Sequence, residues 1–273
     1  MTVADVLRGT GSLRRSILRV RDEGGRTVGL AFLVTDTLAF TCAHVVNSAL
    51  RTPRDEDATG ESVTLEPAFR SGEAAVEAVE STVEHWSATA RPRHASDDVA
   101  VLRLRNAVEG TEPVRLENPS VSWGAPPVVA FGFPAGRPEG VWHPGTLRGV
   151  VASGWLQINQ DTGAGYRVER GFSGGPVWDE TRQAVIGMIT MADLGEVRAA
   201  YAIPSTSLLA AVPELRDELR QPPPYPGLAP YPETMREAFL GRDAESRAVV
   251  DRLDGERWVT IAGPSGSGKS SLL

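Results

Sequence analysis

Residues 171–176 read Gly-Phe-Ser-Gly-Gly-Pro, and the apolar run 175–178 begins within them. A serine set between glycines indicates a tight turn, because glycine adopts positive φ values that other residues avoid. The run is one of many short apolar stretches separated by turn residues, which is typical of one or two all-β sandwiches or barrels. The first set of predicted strands covers 16–21, 28–34, 38–42, 62–69, 75–83 and 99–104. The second set covers 127–133, 147–152, 155–158, 175–178, 184–191 and 199–203.

The composition of the chain restricts the kind of protein it can be. Its 273 residues are 41% hydrophobic and 23% charged, which suits a globular protein of about two domains. The net charge of −7 disfavours a nucleic-acid partner. Cys42 is the only cysteine and cannot form an intramolecular disulfide, and residues 1–20 lack the apolar run of a signal peptide or membrane span. We therefore expect a cytoplasmic protein with no membrane partner.

The C-terminal part of the chain has a different pattern. Residues 205–220 are predicted to be helical with an interruption at Pro213, because proline lacks the amide proton of the helical hydrogen bond. Residues 221–232 carry six prolines and predict a semi-rigid linker. Beyond the linker, 243–253 is predicted to be a helix and 257–262 a short buried strand.

Three local signals point to nucleophilic catalysis. His44 stands at the end of a predicted strand, Asp98 opens an alternating strand, and Ser173 lies in the glycine turn. A serine hydroxyl is a weak nucleophile unless a base takes its proton and an acid orients that base. Each signal alone is commonplace, but the three together predict a Ser-His-Asp triad. Asp97 competes with Asp98, and Asp98 is preferred because the residue directly before the apolar alternation matches the pattern of the family that these motifs resemble.

With these motifs the sequence resembles the trypsin/chymotrypsin-like serine peptidases, including their cytoplasmic and HtrA-like bacterial relatives, over residues 14–215. The resemblance implies an all-β fold of two antiparallel six-stranded β-barrels, near 14–110 and 120–205, with the active cleft between them and a C-terminal helix. It also implies a serine endopeptidase that acts on protein or peptide substrates without a cofactor. In that family the backbone amides at the positions of Gly171 and Ser173 form the oxyanion hole.

The sequence departs from the secreted members of that family. The residue before the serine, an aspartate that pairs with a newly cut N-terminus in secreted zymogens, is Phe172 here, so we expect activity without N-terminal proteolysis. The S1 pocket of the family maps onto Arg167 at the floor and onto Thr190 and Ala192 in one wall, although Glu169 could also turn inward. This register disfavours Lys or Arg at P1 and leaves an acidic or a small P1 residue open.

The remaining histidines and the cysteine are predicted to have no catalytic role. The other histidines, His85, His94 and His143, lie in polar or proline-flanked contexts and are predicted to be surface residues. Cys42 is predicted to be a small buried apolar residue rather than a nucleophile, because Ser173 already occupies the nucleophile turn.

A second motif lies near the C-terminus. Residues 263–270, Gly-Pro-Ser-Gly-Ser-Gly-Lys-Ser, match the P-loop pattern, in which backbone amides hold nucleotide phosphates. Lys269 is the only lysine of the chain, which composition alone does not explain. In the intact NTPase the motif predicts ATP as ligand and Mg²⁺ on Ser270. The predicted nucleotide-binding residues are Gly263, Gly268, Lys269, Ser270 and Ser271.

Residues 225–273 resemble the start of a STAND-type signalling NTPase. Because the chain ends three residues after Ser270, we expect a piece of a larger peptidase–NTPase protein that does not hydrolyse nucleotide alone and whose partner is the rest of the NTPase module. The expected domains are a peptidase over 1–215, a Pro-rich linker over 216–232 and a short α/β P-loop stub over 233–273. Two alternatives stay open: a catalytically silent trypsin-fold sensor or binding module, and an NTPase whose sensor is the β-domain.

Overall fold

The computed structural model describes residues 11–69, 78–88, 97–119, 126–159, 166–192, 199–213, 242–255, 258–263 and 269. Backbone contacts divide the chain into two compact units, Met1–Leu219 and Arg220–Leu273. The first unit holds two β-barrels, and it is the unit that carries His44, Asp98 and Ser173.

The first barrel begins after helix α1, Gly11–Ser16, and contains helix α2, Ala43–Leu50, between its third and fourth strands. Its strands are β1 Ile17–Arg21, β2 Thr27–Leu33, β3 Leu38–Thr41, β4 Ser62–Pro67, β5 Val79–Ala88 and β6 Asp98–Leu104. They pair antiparallel and close into a barrel in the order β1-β2-β3-β6-β5-β4.

The second barrel is followed by helix α3, Ser205–Ala211. Its strands are β7 Pro127–Gly132, β8 Val141–Val150, β9 Leu156–Asn159, β10 Pro176–Asp179, β11 Ala184–Ala192 and β12 Ala199–Pro204. They close into an antiparallel barrel in the order β10-β11-β12-β9-β8-β7. The predicted pair of six-stranded antiparallel barrels is therefore confirmed.

The burial pattern explains why these segments form barrel strands. In β5 the side chains of Ser81 and Val83 are buried while Glu80 and Glu84 are exposed, as the two-residue period of a strand requires. Strand β3 is buried along its whole length. Its Phe40 belongs to an apolar cluster that continues into residues of the second barrel, among them Phe131, Trp178 and Met188. The apolar core of the first barrel therefore extends into the second barrel, which also holds an apolar cluster of its own.

Backbone hydrogen bonds also join the barrels. The amide of Leu30 in β2 donates to the carbonyl of Ser173 at 2.9 Å. Gly174 has a φ of +81°, and a Cβ at this position would lie 1.9 Å from the carbonyl oxygen of Leu30. Only glycine fits such a close approach of two backbones. The segment that carries Ser173 is thus held against the first barrel by its main chain.

The second unit is described in part. Helix α4, Asp243–Leu253, confirms the helix predicted there. The prediction of a buried strand over 257–262 is wrong, because the described residues 258–263 form no strand. The side chain of Trp258 is 86% exposed, so this segment is not buried at that position either. No helix in the described part of the chain is long and apolar enough to cross a membrane.

Because the core of the first barrel continues into the second, the two barrels are predicted to unfold together. Phe40→Ala, which removes a fully buried ring from the first barrel, is expected to lower the free energy of unfolding by about 3–5 kcal/mol. Calorimetry and near-UV circular dichroism should both show one transition, shifted to lower temperature. Two separate transitions, of which only one moves, would contradict this cooperative unfolding.

Candidate active site

His44 and Asp98 are brought together by the start of helix α2 and the start of strand β6. The Nδ1 atom of His44 lies 2.7 Å from Oδ2 of Asp98, and the backbone amide of His44 donates to Oδ1 at 3.0 Å. An ionised carboxylate only accepts hydrogen bonds, so Nδ1 carries a proton, and in the neutral imidazole Nε2 then keeps its lone pair. The imidazole is 19% exposed and the carboxylate 3%. The Asp98 carboxylate is thus shielded from solvent, whereas the His44 imidazole remains partly accessible.

Asp98 stays ionised despite its burial. Burial raises the pKa of Asp98, but the imidazole and amide of His44 and the hydroxyl of Thr190 outweigh it and hold the pKa below its usual value. The Thr190 Oγ1 atom donates to Oδ2 at 2.7 Å, and the Arg54 guanidinium lies 3.8 Å from the same oxygen. The carboxylate that contacts His44 is therefore that of Asp98, and the competing Asp97 is partly buried.

Ser173 lies in the turn between β9 and β10, and it is partly exposed. Its hydroxyl donates to the carbonyl oxygen of Thr190 at 3.4 Å, rather than to the imidazole of His44. Thr190 therefore contacts both halves of the site: its side chain binds Asp98 and its backbone binds Ser173.

The glycine turn around Ser173 has the conformation predicted from the sequence. Gly171 has a φ of +104°, which confirms the positive φ expected there, and a Cβ would lie 2.2 Å from the carbonyl oxygen of Phe133. Among the residues that the structure describes, none accepts a hydrogen bond from the amide of Gly171 or of Ser173. Amides that donate to no described acceptor are the kind of group that can bind a negatively charged oxygen.

Phe172, between these two amides, is an internal anchor of the turn. Its side chain is fully buried in the apolar core of the second barrel. The ring fills the space that Gly132 leaves, since a Cβ at Gly132 would lie 2.4 Å from it. Apolar packing of the Phe172 ring in the barrel core therefore holds the turn in place.

Cys42 is buried beneath the His44–Asp98 pair, as predicted. Its Sγ donates to the carbonyl of Ile189 at 3.3 Å. Burial, and next the charge of Asp98, raises the pKa of the Cys42 thiol. The ligand atoms of Cys42, His44 and Asp98 lie within 4.8 Å of one another, but a metal ion there would need the thiolate that burial opposes.

The three residues predicted to line the substrate pocket differ in their burial and contacts. Arg167 is exposed, so its assignment to a pocket floor gains no support from burial. Thr190 is buried, but its hydroxyl is committed to Asp98. The side chain of Ala192 lies outside the described residues. This role of Thr190 was missed, although a single hydroxyl in the apolar run 185–191 is a signal that could have pointed to it.

His143, predicted to be on the surface, is 3% exposed. It lies in strand β8, where it pairs with Ala130 of β7. Its Nδ1 atom lies 2.6 Å from the carbonyl oxygen of Tyr166. The flanking proline, Pro144, suggested a loop, but the chain keeps strand geometry through it, and the strand places the imidazole inside the barrel. The prediction of a surface histidine was therefore wrong.

Two of the predicted P-loop residues are described. The ammonium of Lys269 donates to the carbonyl of Gly263 at 2.8 Å, so the two ends of the loop lie together. Gly268, Ser270 and Ser271 lie outside the described residues.

Two family models match the chain. The trypsin-like peptidase domain matches residues 29–188, and the family described as novel STAND NTPase 1 matches residues 224–273. No curated protein sequence matches.

Solved structures share the fold. The inactive form of the Rv3671c protease from M. tuberculosis has a TM-score of 0.54 and 18% identity over 78% of this chain and 96% of that one. Its active form has a TM-score of 0.54 and 18% identity over 82% of this chain and 89% of that one. The serine endoprotease from Yersinia pestis has a TM-score of 0.55 and 16% identity over 78% of this chain and 65% of that one.

The buried state of His143 predicts a pH dependence of stability. Burial lowers the pKa of His143 below its ordinary 6.5, and the hydrogen bond to the Tyr166 carbonyl opposes this only in part. The unfolded chain therefore takes up the proton first as the pH falls. The stabilisation is complete above about pH 6.5 and is lost as the pH falls towards the lowered pKa of the folded state.

Urea denaturation of wild type and His143→Leu at a series of pH values checks this prediction. The wild type should lose more of its free energy of unfolding than the variant as the pH falls below 6.5, the ordinary value for histidine. Since His44 is present in both proteins, its contribution cancels in the comparison. The same loss in both proteins would contradict the prediction.

Proposed function

The chain belongs to the trypsin-like peptidase domain family, and from that premise we propose that it is a serine endopeptidase that hydrolyses peptide bonds of protein substrates. The observation that carries the proposal is the buried Asp98 carboxylate 2.7 Å from Nδ1 of His44, with Ser173 joined to the same carboxylate through Thr190. Asp98 fixes the tautomer of His44 that leaves Nε2 able to accept a proton.

In the proposed reaction Ser173 acts as the nucleophile and His44 as the base. The hydroxyl turns from the Thr190 carbonyl towards Nε2 of His44, a change that is ordinary because catalytic hydrogen bonds are often long without substrate. Oγ bonds to the scissile carbonyl carbon as its proton passes to Nε2. The C–N bond then breaks, and the amine leaves with that proton. Water repeats the sequence on the acyl-enzyme and releases the acid and Ser173.

The oxyanion that forms at the scissile carbonyl would bind the amides of Gly171 and Ser173. Removing one such donor typically costs about 2.7–4 kcal/mol of transition-state stabilisation. The positive φ at Gly171 and its contact with Phe133 fix the direction of that amide before the substrate arrives. Such preorganisation supports catalysis because the donors need no rearrangement during the reaction.

Phe172 supports activity without N-terminal proteolysis. Its ring is fully buried and offers no charge to a newly cut amine. A buried ammonium opposite a phenyl ring would lack a counter-ion, which is costly. We therefore propose that packing alone orders the turn.

We further propose that the C-terminal P-loop binds ATP with Mg²⁺ and regulates the peptidase. The residues that would hold the nucleotide are those of the motif, with the ammonium of Lys269 as the cation for the phosphate oxygens and Ser270 as the Mg²⁺ ligand. The hydrogen bond from Lys269 to the carbonyl of Gly263, the first residue of the motif, supports this proposal. When bound, the nucleotide would supply the phosphate groups that such a module recognises.

One observation favours a catalytically silent binding module as the alternative. The Ser173 hydroxyl contacts the Thr190 carbonyl, and this contact withholds it from the base. A module of this kind would keep the fold and the His44–Asp98 pair but would not turn over. Reactivity of Ser173 separates the two proposals.

A fluorophosphonate probe tests the peptidase proposal. The wild-type chain should gain one phosphonyl group on Ser173, and intact-mass spectrometry should find it on protein with an uncut N-terminus. Ser173→Ala should gain none, whereas Ser153→Ala, a serine of the turn before β9, should react like the wild type.

Two other results of the labelling experiment would oppose these proposals. Absence of labelling in folded wild-type protein would favour the silent module. Labelling that appears only after a new N-terminus has been cut would overturn the argument from Phe172.

Titration with a fluorescent ATP analogue tests the nucleotide proposal. Lys269→Ala should weaken binding by about tenfold or more, because a hydrogen bond to a charged group is worth about 1.5–3 kcal/mol. Arg252→Ala, which removes an exposed cation from the last turn of α4, should bind like the wild type. Equal affinity in the wild type and Lys269→Ala would contradict the proposal.

A further inference from the structure

We propose that His143 is a positioning residue that holds the oxyanion loop, defined here as residues 166–173, so that the amides of Gly171 and Ser173 point into the cleft. The proposal rests on the proposed peptidase function. It assigns a task to a buried histidine that takes no part in the triad.

The imidazole contacts the first residue of the oxyanion loop through a hydrogen bond. Nδ1 of His143 lies 2.6 Å from the carbonyl oxygen of Tyr166, and a carbonyl only accepts, so Nδ1 donates. His143 itself is fixed in strand β8, which is paired on one side with β7 and on the other with β9. The hydrogen bond thus ties the loop to the rigid wall of the barrel.

The same imidazole contacts the far end of the loop through packing. The ring centroids of His143 and Phe172 lie 6.4 Å apart with an interplanar angle of 85°, an edge-to-face arrangement. Phe172 stands directly between the two amides that form the proposed oxyanion hole. One side chain therefore touches both ends of the loop, and a shift of its ring would move the amides.

The other nitrogen of the ring argues for a task beyond filling space. Nε2 is buried and has no hydrogen-bond partner in the described part of the chain. It faces Gly145, where a Cβ would lie 3.2 Å from it. A buried polar atom without a partner is costly, and an apolar side chain of similar size would avoid that cost. Unlike an apolar side chain, the imidazole provides a hydrogen-bond donor, Nδ1–H, to the Tyr166 carbonyl.

The surroundings of His143 keep the imidazole neutral. Neither Ala130 on β7 nor Ile158 and Asn159 on β9 carries an ionisable side chain. Tyr166, whose carbonyl accepts from His143, has its hydroxyl paired with another group, since Nε of Arg137 donates to it at 3.2 Å. A neutral ring with its proton on Nδ1 is the form that can hold the loop.

Steady-state kinetics on a peptide substrate tests the proposal. His143→Leu, which keeps the apolar volume and removes the donor, should lower kcat about tenfold to a hundredfold with little change in KM, because a misdirected oxyanion donor is felt in the transition state. His143→Asn, whose amide can donate to the Tyr166 carbonyl, should keep most of kcat. The rate of fluorophosphonate labelling should follow kcat in both variants.

Ser81→Ala is the matched control. It removes a buried hydrogen bond of the same kind, from the Ser81 hydroxyl to the Val63 carbonyl at 2.8 Å, in the first barrel. It should lower stability but leave kcat per labelled site unchanged. A fall in kcat like that of His143→Leu would show that general destabilisation is the cause and would overturn the proposal.

A second measurement does not depend on turnover. Amide hydrogen exchange in a Ser173→Ala background should be faster over residues 166–173 in His143→Leu than in Ser81→Ala. If His143→Leu does not fold, His143→Ala replaces it in the same comparison. Unlabelled wild-type protein would refute the peptidase proposal. Labelled wild type, with unchanged exchange and unchanged kcat in a folded His143 variant, would refute the positioning role alone.

Discussion

The hydrogen bond between Nδ1 of His44 and the buried carboxylate of Asp98, at 2.7 Å, is the interaction on which the site depends. An ionised carboxylate is costly to bury unless hydrogen bonds replace its water. The fold supplies them from three directions: the imidazole and amide of His44 and the hydroxyl of Thr190. Asp98 thereby stays charged, and its charge selects the tautomer in which His44 can act as a base.

This arrangement makes the two barrels depend on each other. Asp98 and His44 belong to the first barrel, whereas Thr190 and Ser173 belong to the second. Thr190 joins them, because its hydroxyl binds Asp98 while its carbonyl accepts from Ser173. The hydrogen bond from Leu30 to the Ser173 carbonyl and the close approach of Gly174 add backbone contacts across the same boundary. A displacement of either barrel would separate the acid and base from the nucleophile.

Much of this could be predicted from the sequence, because strands and turns have local patterns. Apolar runs between turn residues located most of the strands, and the family resemblance implied their division into two barrels. The glycines around Ser173 predicted the positive φ at Gly171. The residues that sequence reasoning missed act through distant contacts. Thr190 and His143 lie in strands whose local pattern says nothing of which side chain they meet. Helix α2 has no counterpart among the predicted elements, because its buried residues pack against strands far along the chain.

A crystal structure of the chain with a phosphonate bound to Ser173 tests the central claim most directly. The phosphonyl oxygen stands in for the oxyanion of the transition state. It should lie about 2.7–3.1 Å from the amides of both Gly171 and Ser173, with Nε2 of His44 beside the Ser173 oxygen and the Asp98 hydrogen bond kept. A phosphonyl oxygen that points away from both amides, or a His44 ring detached from Asp98, would contradict the account.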